Sequence, residues 1–153
     1  DKKAYLSMCR RSESLVDEEY QQTRGMSGLS RSMLEHVDLI RARTSRRENY
    51  LRLLKMLGNV EGVRLLFPVL PDDVYPLGLP VVADCRDELR TYLAQNDIYC
   101  PIHWALPDDI PADEFAESHR LSQRILTIPC DQRYTASDMM AVGKVITEFL
   151  ESR

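Results

Sequence analysis

The sequence predicts an α+β fold: a long N-terminal helix followed by a small, mostly antiparallel sheet covered by helices. Three observations support this class. Apolar residues recur every three or four positions over residues 29–54, which is the helical period. Residues 63–82 are apolar, β-branched and punctuated by proline, which is typical of short or edge strands. Strands and helices then alternate without regular βαβ units, which argues against a parallel sheet.

The first predicted element is a single helix from Ser27 to Leu57. Ser27 or Ser30 can cap its start, and Gly58-Asn59 can end it. A helix of this length exceeds what a compact core needs, so we expect it to bridge two domains or two subunits. The chain is accordingly divided into residues 1–57, an N-terminal arm with the interdomain helix, and residues 58–153, a small domain. The predicted stripe of the helix comprises Leu29, Met33, Val37, Ile40, Thr44, Arg47, Leu51 and Leu54.

Four segments are predicted to share one sheet. Two of them are joined by the turn Pro71-Asp72-Asp73, and the prolines at 68, 76 and 80 should make them edge-like because proline donates no backbone hydrogen bond. The other two follow later in the chain. The four predicted strands are Val63–Val69, Leu77–Val82, Tyr99–Trp104 and Ile125–Ile128.

Three further helices are expected to cover this sheet. Asp84 should cap a helix from Cys85 to Gln95, and a second helix should run from Ala112 to Arg124. Thr135 should cap the last helix, with Asp138 in the position of a capping box. The inward face of that helix is predicted to hold Met139, Val142, Val145, Ile146, Phe149 and Leu150.

Composition narrows the functional class. The chain is 44% hydrophobic and 29% charged, and no apolar run approaches the roughly 20 residues of a membrane helix. No signal peptide is visible, so we expect a cytoplasmic protein with reduced cysteines, Cys100 and Cys130 being buried.

Charge is distributed unevenly along the chain. Residues 1–60 hold 12 basic and 8 acidic residues, and residues 61–153 hold 8 basic and 16 acidic residues. The chain as a whole is acidic, with a net charge of −4, which favours a solvated or subunit-facing helix at the basic residues 41–55 over a nucleic-acid site.

Three motifs then appear in order. RRENYLRLL occupies residues 46–54, LRTYLAQNDIYCPIHW occupies 89–104, and ILTIPCDQRYTASDM occupies 125–139. In this order and spacing, the chain resembles the C-terminal small domain of the DegT/StrS-type sugar aminotransferases, which use pyridoxal phosphate. The resemblance covers residues 46–153, and residues 24–45 are compatible with the preceding interdomain helix.

The resemblance implies the aspartate aminotransferase fold of type I. Members move an amino group from glutamate or glutamine to a keto-sugar, commonly nucleotide-linked, and work as homodimers. Their chemistry needs a Schiff-base lysine, an acid facing the pyridine nitrogen and a phosphate cradle. None of Lys2, Lys3, Lys55 and Lys144 has the family's Schiff-base surroundings. We therefore expect pyridoxal phosphate in a parent enzyme, none bound to this chain alone, no catalytic residue here, and a missing large domain or partner subunit.

His103 and Trp104 are the predicted substrate-binding residues. His103 matches the family's histidine before an aromatic residue near the substrate entrance, although a histidine ending a strand can equally be hydrogen-bonded for structural reasons. Trp104 can stack on a sugar or base, or simply cover the sheet. Arg133 and Tyr134 are expected to fix a turn, and His36 and His119 to be solvated. The pairs Asp72-Asp73 and Asp108-Asp109 are read as turn formers, because no metal-binding spacing accompanies them.

Two other functions stay open. The chain can be a free-standing, non-catalytic binding or dimerisation module with the same fold, or an unrelated regulatory α+β domain. Without a large domain, Leu29, Met33, Val37 and Ile40 would be exposed on the long helix. Since burying such a side chain is worth roughly 1.5–3 kcal/mol, we expect an isolated chain to form a homodimer through this helix.

Overall fold

The computed structural model describes residues 25–103 and 106–153, together with the isolated positions 4, 7, 8 and 11. The chain divides into two compact units, Asp1–Val37 and Asp38–Arg153. The first unit contains helix α1, Gly28–Glu35. Ser27 caps this helix, its hydroxyl accepting a hydrogen bond from the Ser30 amide at 3.1 Å. No residue of α1 is buried.

The prediction of one helix from Ser27 to Leu57 is wrong. The helix ends at Glu35, and helix α2 begins anew at Leu39 and runs to Leu57. Asp38 explains the restart because its carboxylate accepts a hydrogen bond from the Arg41 amide at 2.9 Å, which is the N-cap interaction. The His36 ring nitrogen Nδ1 lies 2.7 Å from the Ser32 carbonyl oxygen at the end of α1. The apolar period continues across this break, so periodicity could not reveal it.

Helix α2 also buries a different face from the one predicted. Its buried residues are Asn49, Tyr50, Leu53 and Leu57. Of the predicted stripe, Leu51 is 45% exposed and Leu54 is partly buried against the core. Ile40 is 78% exposed, as expected for this chain without a large domain. Both faces carry apolar residues at helical spacing, and the face with the aromatic residue and two fully buried leucines is the one that packs inside the domain.

The sheet has three strands within the described part of the chain: β1, Arg64–Leu65; β2, Gly78–Val82; and β3, Ile125–Pro129. Their order is β1-β2-β3, and both pairings are antiparallel, so the predicted antiparallel sheet is confirmed. Strand β2 is central, not edge-like as predicted, and it pairs Leu79 with Ile128 and Val81 with Leu126. Pro80 is accommodated there because its carbonyl still accepts a hydrogen bond from the Leu66 amide at 3.2 Å. Strand β1 is shorter than predicted because Pro68 and Pro71 follow it closely and cannot donate to a ladder.

The predicted strand from Tyr99 to Trp104 is not present in residues 99–103, and Trp104 lies outside the described residues. The segment nevertheless runs beside β3, since the Thr127 amide donates a hydrogen bond to the Pro101 carbonyl at 3.1 Å. Pro101 has no N–H to return that bond, which limits a ladder at this point.

The close approach of β2 and β3 requires a glycine at position 78. A Cβ atom added to Gly78 would lie 2.5 Å from the Thr127 methyl carbon and 2.9 Å from the Ile128 carbonyl oxygen. Real Cβ atoms do not approach other atoms this closely, so a side chain at this position would force the strands apart.

Three helices follow as predicted, and the first two begin later than predicted: α3, Arg86–Gln95; α4, Ala116–Arg124; and α5, Ala136–Glu151. Asp84 does not cap α3, since the cap residue is Cys85, which makes no side-chain cap bond. Asp84 instead pairs with Arg124 at 3.1 Å. Helix α4 begins four residues later than predicted because Pro107 and Pro111 keep the preceding segment in turns. The capping box of Thr135 and Asp138 on α5 is confirmed.

The core of the second unit lies between the sheet and helices α2, α3 and α5, all of which contribute fully buried side chains. The predicted inward face of α5 is confirmed, with Met139, Val142 and Ile146 buried and the other three residues packed against the core. Cys100 and Cys130 are buried, also as predicted.

Candidate functional site

The first and third sequence motifs meet at Asn49. The Asn49 amide nitrogen donates hydrogen bonds to the carbonyl oxygens of Asp131, at 3.1 Å, and Tyr134, at 3.0 Å. Asn49 is only 3% exposed, so these bonds satisfy a buried amide that would otherwise be costly. Because Asp131 and Tyr134 bracket the turn before α5, Asn49 fixes where α5 begins relative to α2.

Arg46 and Tyr50 extend the same junction on either side of Asn49. Arg46 donates through Nε to the Gln132 side-chain oxygen at 2.7 Å and through a terminal nitrogen to the Pro76 carbonyl at 3.3 Å. The Tyr50 hydroxyl donates to the Phe67 carbonyl at 3.0 Å, and burial raises the pKa of Tyr50. The motif therefore contacts both the turn before α5 and the segment between β1 and β2.

Arg47 binds the turn at residues 71–76. Its guanidinium donates to the carbonyl oxygens of Pro71 and, at 2.8 Å, Val74, and it lies 3.4 Å from the Asp72 carboxylate. One helical turn earlier, the Arg43 guanidinium stacks on the Tyr75 ring at 5.1 Å from its centroid. Three arginines of the basic run thus position one loop, which gives them a structural role that sequence reasoning missed.

Arg133 and Asp131 form the turn that was predicted for the DQRY sequence. The Arg133 side chain donates two hydrogen bonds to the Asp131 carboxylate, both at 2.8 Å, and its amide donates a third at 3.0 Å. The side-chain hydrogen bond from Arg133 is the main cause that lowers the pKa of Asp131, since it stabilises the charged carboxylate. This is a structural role for Arg133, in agreement with the expectation.

His103 lies at the sheet, where its Nδ1 is 3.1 Å from the Thr127 hydroxyl on β3. Thr127 is 8% exposed, whereas His103 itself is half-buried. The second motif is therefore joined to the third through this side-chain pair. Trp104, the other predicted binding residue, lies outside the described residues. A role for either residue in binding substrate stays a prediction.

His119 is not solvated as predicted. Its Nε2 lies 2.9 Å from the Ile110 carbonyl oxygen, which ties α4 to the loop before it. Near it, Arg86 donates to the carbonyl oxygens of Ser122 and Ile125 at 3.3 Å. These two side chains help to line a shallow cavity, but each is engaged in joining α3 or α4 to neighbouring backbone. His36 is exposed, as predicted.

The described lysines do not fit a Schiff-base site. Lys55 is exposed on α2, and Lys144 lies on the surface of α5, 3.5 Å from the Glu148 carboxylate. Lys2 and Lys3 lie outside the described residues. Burial raises the pKa of Cys100 and Cys130 to about 12, so both thiols are protonated near neutral pH and neither is an activated nucleophile.

Residues 25–103 and 106–153 can be examined for a metal-binding group and for a membrane-spanning helix. Within these ranges, no group of three or more His, Cys, Asp or Glu side chains could hold a metal ion. None of the helices found there is both long and apolar enough to cross a membrane. The described part of the second unit presents hydrogen-bonded motif junctions and an exposed helix face.

No protein-family model matches the chain, and no curated protein matches it either. Solved structures do match. The aminotransferase TlmJ from Streptoalloteichus hindustanus is 23% identical with a TM-score of 0.66, covering 74% of this chain and 33% of its own. S. venezuelae DesV, solved in complex with a ketimine intermediate, is 21% identical with a TM-score of 0.67, covering 85% and 39%.

A DegT DnrJ EryC1 StrS aminotransferase from Brucella abortus gives 21% identity, a TM-score of 0.59 and coverage of 71% and 31%. At these identities the likeness establishes the fold, and it confirms at that level the resemblance drawn from the sequence motifs. The chain spans about a third of the length of the solved aminotransferases that it matches.

Proposed function

We propose that this chain is the small-domain portion of a pyridoxal-phosphate-dependent sugar aminotransferase of the DegT/StrS type, and that it does not transaminate by itself. The observation that carries the proposal is that the fold and the sequence motifs both resemble the same group of enzymes. The fold matches that of sugar aminotransferases, and the three family-like motifs are the segments that bond to one another, through Asn49 to Asp131 and His103 to Thr127.

In the parent enzyme, His103 and Trp104 would contribute to the substrate entrance for a keto-sugar, commonly one linked to a nucleotide. The contact with the buried Thr127 hydroxyl would set the orientation of the His103 ring. A tryptophan beside it could stack on a sugar or base. The His103→Gln variant tests this role. Glutamine can keep a polar contact with Thr127 while it changes the group presented to substrate, so substrate affinity should fall without a matching loss of fold stability.

The cofactor would be held by the rest of the enzyme. Pyridoxal phosphate, when bound, serves as the electron sink for amino-group transfer. Lys55 and Lys144 have surface surroundings and do not fit the Schiff-base position. The proposal therefore includes a missing large domain or partner subunit, a homodimer and a cytoplasmic location, and it includes neither a nucleic-acid nor a membrane partner.

The second candidate is a free-standing, non-catalytic binding or dimerisation module. The observation that favours it is the self-contained core of the unit Asp38–Arg153, in which the sheet and three helices bury one another. Such a unit needs no large domain in order to fold. The two candidates differ in whether a cofactor-binding polypeptide accompanies the chain.

An antibody raised against this chain can distinguish the two candidate functions. In extracts of the source organism, the first candidate predicts a protein about three times longer, or a complex that contains a second, cofactor-binding polypeptide. A single species of 17.7 kDa with no such companion would favour the module.

Borohydride trapping adds a test on the isolated chain. Pyridoxal phosphate should give only scattered surface adducts, because Lys55 and Lys144 have no preorganised site. A specific adduct at one lysine would contradict the proposal.

A further inference from the structure

A groove between strand β1 and helix α4 gathers three arginines. Arg64 comes from β1, whereas Arg120 and Arg124 lie one helical turn apart on the same face of α4. The groove has a volume of about 280 Å³, and its apolar lining consists of Leu66, Val82 and Leu121. Residues 61–153 hold 8 basic and 16 acidic residues, so this groove concentrates positive charge in an otherwise acidic part of the chain.

Arg64 is the arginine of this groove that has no internal partner. It is exposed, and within the part of the chain that the structure describes its side chain makes no hydrogen bond, ion pair or ring contact. Every other basic residue in 61–153 contacts a carbonyl oxygen, a carboxylate or an aromatic ring: Arg86, Arg90, Arg120, Arg124, Arg133, Lys144 and Arg153. The Arg64 guanidinium is therefore available to a ligand.

Arg120 and Arg124 use only part of their hydrogen-bonding capacity. Each pairs through Nη1 with one carboxylate, Arg120 with Glu117 at 3.2 Å and Arg124 with Asp84 at 3.1 Å. A guanidinium also has an edge formed by Nε and Nη2, which carries two parallel N–H donors. Among the described residues, neither arginine has an acceptor at that edge, and their side chains are 59% and 44% exposed. The groove therefore offers a ligand three arginine edges of this kind.

We propose that this groove binds a phosphate group carried on a small molecule with an apolar body. Three arginines and Glu117 line the groove and give it a net charge of +2, which attracts a phosphate of charge about −1.5 to −2 near pH 7. The apolar body would cover Leu121, which is 36% exposed beside the arginines. This inference goes beyond the proposed function and does not rest on it.

The number of arginine edges favours a phosphate over a carboxylate. A carboxylate has two oxygens and can fill one two-donor edge, whereas a phosphate monoester has three terminal oxygens and can bridge two arginines. The three guanidiniums come from two elements that are more than 50 residues apart in sequence, so the fold brings together donors that no local motif supplies.

Size and charge favour a small molecule over a nucleic acid. The groove is slightly smaller than the roughly 300 Å³ at which small-molecule pockets begin. Glu117 lies in the groove and Asp84 flanks Arg124. A backbone of many phosphates would meet these carboxylates on either side of the arginines, whereas a single phosphate can lie between the guanidiniums.

The experiment is an NMR titration of the isotope-labelled whole chain at low ionic strength, where exposed charges are least screened. The probes are phenyl phosphate, inorganic phosphate and benzoate. Phenyl phosphate should bind most tightly, because it alone has both the three terminal oxygens of a monoester and an apolar body. Its binding should shift the amide signals of Arg64, Val82 and Leu121.

Four variants test the groove. Arg64→Gln and Arg124→Gln should each weaken the binding of phenyl phosphate at least about tenfold, because each removes charge-assisted hydrogen bonds. Arg64→Lys keeps the charge without the two-donor edge, so its affinity should lie between those of the wild type and Arg64→Gln. Leu121→Ala should reduce the affinity for phenyl phosphate and leave that for inorganic phosphate unchanged.

The matched control is Arg41→Gln, which removes an exposed arginine on α2 outside the groove and should leave binding unchanged. Circular dichroism of each variant checks that the fold is intact. The absence of saturable binding of phenyl phosphate, or equal losses in Arg64→Gln and Arg41→Gln, would overturn the proposal.

Two further outcomes would overturn it in favour of another ligand. Equal affinity for phenyl phosphate and inorganic phosphate would mean that free phosphate is the occupant. An oligonucleotide that binds more tightly than phenyl phosphate, and that loses affinity in the same variants, would mean that the groove binds a nucleic acid. None of these results alters the tests of the proposed function, so the two can fail separately.

Discussion

The two faces of helix α2 draw on neighbouring residues in sequence, yet one face is buried and the other is exposed. Leu53 is fully buried, whereas Leu51, two residues earlier, is 45% exposed. The inner face holds the unit together through apolar packing and through the bonds of Asn49 and Tyr50 to the turns around it. The outer face leaves Leu51 exposed, while its arginines hold the turn at residues 71–76. One helix therefore has one face in the core and one face that is largely exposed.

This difference shows why helical periodicity alone selects the wrong face. The stripe from Ile40 to Leu51 has the spacing of a core face and was therefore included in the predicted stripe of the long helix. The inner face contains Asn49 among its apolar residues, which weakens its apolar pattern. Asn49 is buried nonetheless because two carbonyl groups satisfy its amide, and sequence spacing carries no information about such tertiary partners.

The largest contrast between the faces should appear in stability. Leu53→Ala should lower the free energy of unfolding by about 2–5 kcal/mol, because it leaves a cavity in the core. Leu51→Ala removes the same atoms from the outer face and should change stability by less than about 0.5 kcal/mol. Urea unfolding at a concentration where the chain is monomeric measures both. Equal losses would mean that the assignment of the faces is wrong.

The bonds of Asn49 provide the next test. Asn49→Leu keeps the volume but leaves the carbonyl groups of Asp131 and Tyr134 without this donor, which should cost about 1–3 kcal/mol. The matched control is Asn59→Leu, at an exposed position just after α2, where a small change is expected. If the two variants unfolded at the same urea concentration, the motif junction would not be what anchors α5 to α2.

A smaller effect is expected from the cap of α5, which packs against the inner face. Thr135→Ala removes a side chain that accepts a hydrogen bond from the Asp138 amide and should cost about 1 kcal/mol. Ser118→Ala, at an exposed position in α4, is the control. Thermal unfolding followed by circular dichroism compares them, and a Thr135→Ala variant as stable as the control would contradict a role for the capping box.

Some elements were predictable because they depend on neighbouring residues in sequence. The capping box of α5 and the turn made by Asp131 and Arg133 are local, and both were found as predicted. The break at Asp38, the short strand β1 and the irregular segment at residues 98–103 depend on competing caps, prolines and tertiary pairing. The prolines were visible in the sequence, yet their effect on the ladders depends on which partner strand each segment meets.

The candidate site was partly predictable for the same reason. The motifs were identified in order, but their mutual bonds were not, because Arg46, Asn49 and Tyr50 reach groups that are 17 to 86 residues away in sequence. The basic run was read as a solvated or subunit-facing surface. The turn at residues 71–76 was one signal that could have indicated the structural role of these arginines. Its backbone carbonyls needed hydrogen-bond donors in a region short of N–H groups.

The smallest predicted effect concerns pH. The folded pKa of Asp131 is lowered, chiefly by its hydrogen bonds with Arg133, so its stabilising contribution is present above the unfolded pKa of about 3.9. It is lost as the pH falls through the lower folded value. Asp131→Asn should therefore be less stable than the wild type at pH 7, and the difference should shrink in acid. Asp73→Asn, in an exposed turn, is the control, and a difference independent of pH would contradict the assignment.

The most direct test of the two-faced helix is the reactivity of cysteines placed on its two faces. Leu51→Cys and Leu53→Cys, each in a background with Cys9 and Cys85 replaced by serine, would be compared by their rates of modification with a thiol reagent in the folded chain. Leu51 is 45% exposed and Leu53 is fully buried, so Leu51→Cys should react at about the rate of the unfolded chain, whereas Leu53→Cys should react only when the core opens. Equal rates at the two positions in the folded chain would contradict the account.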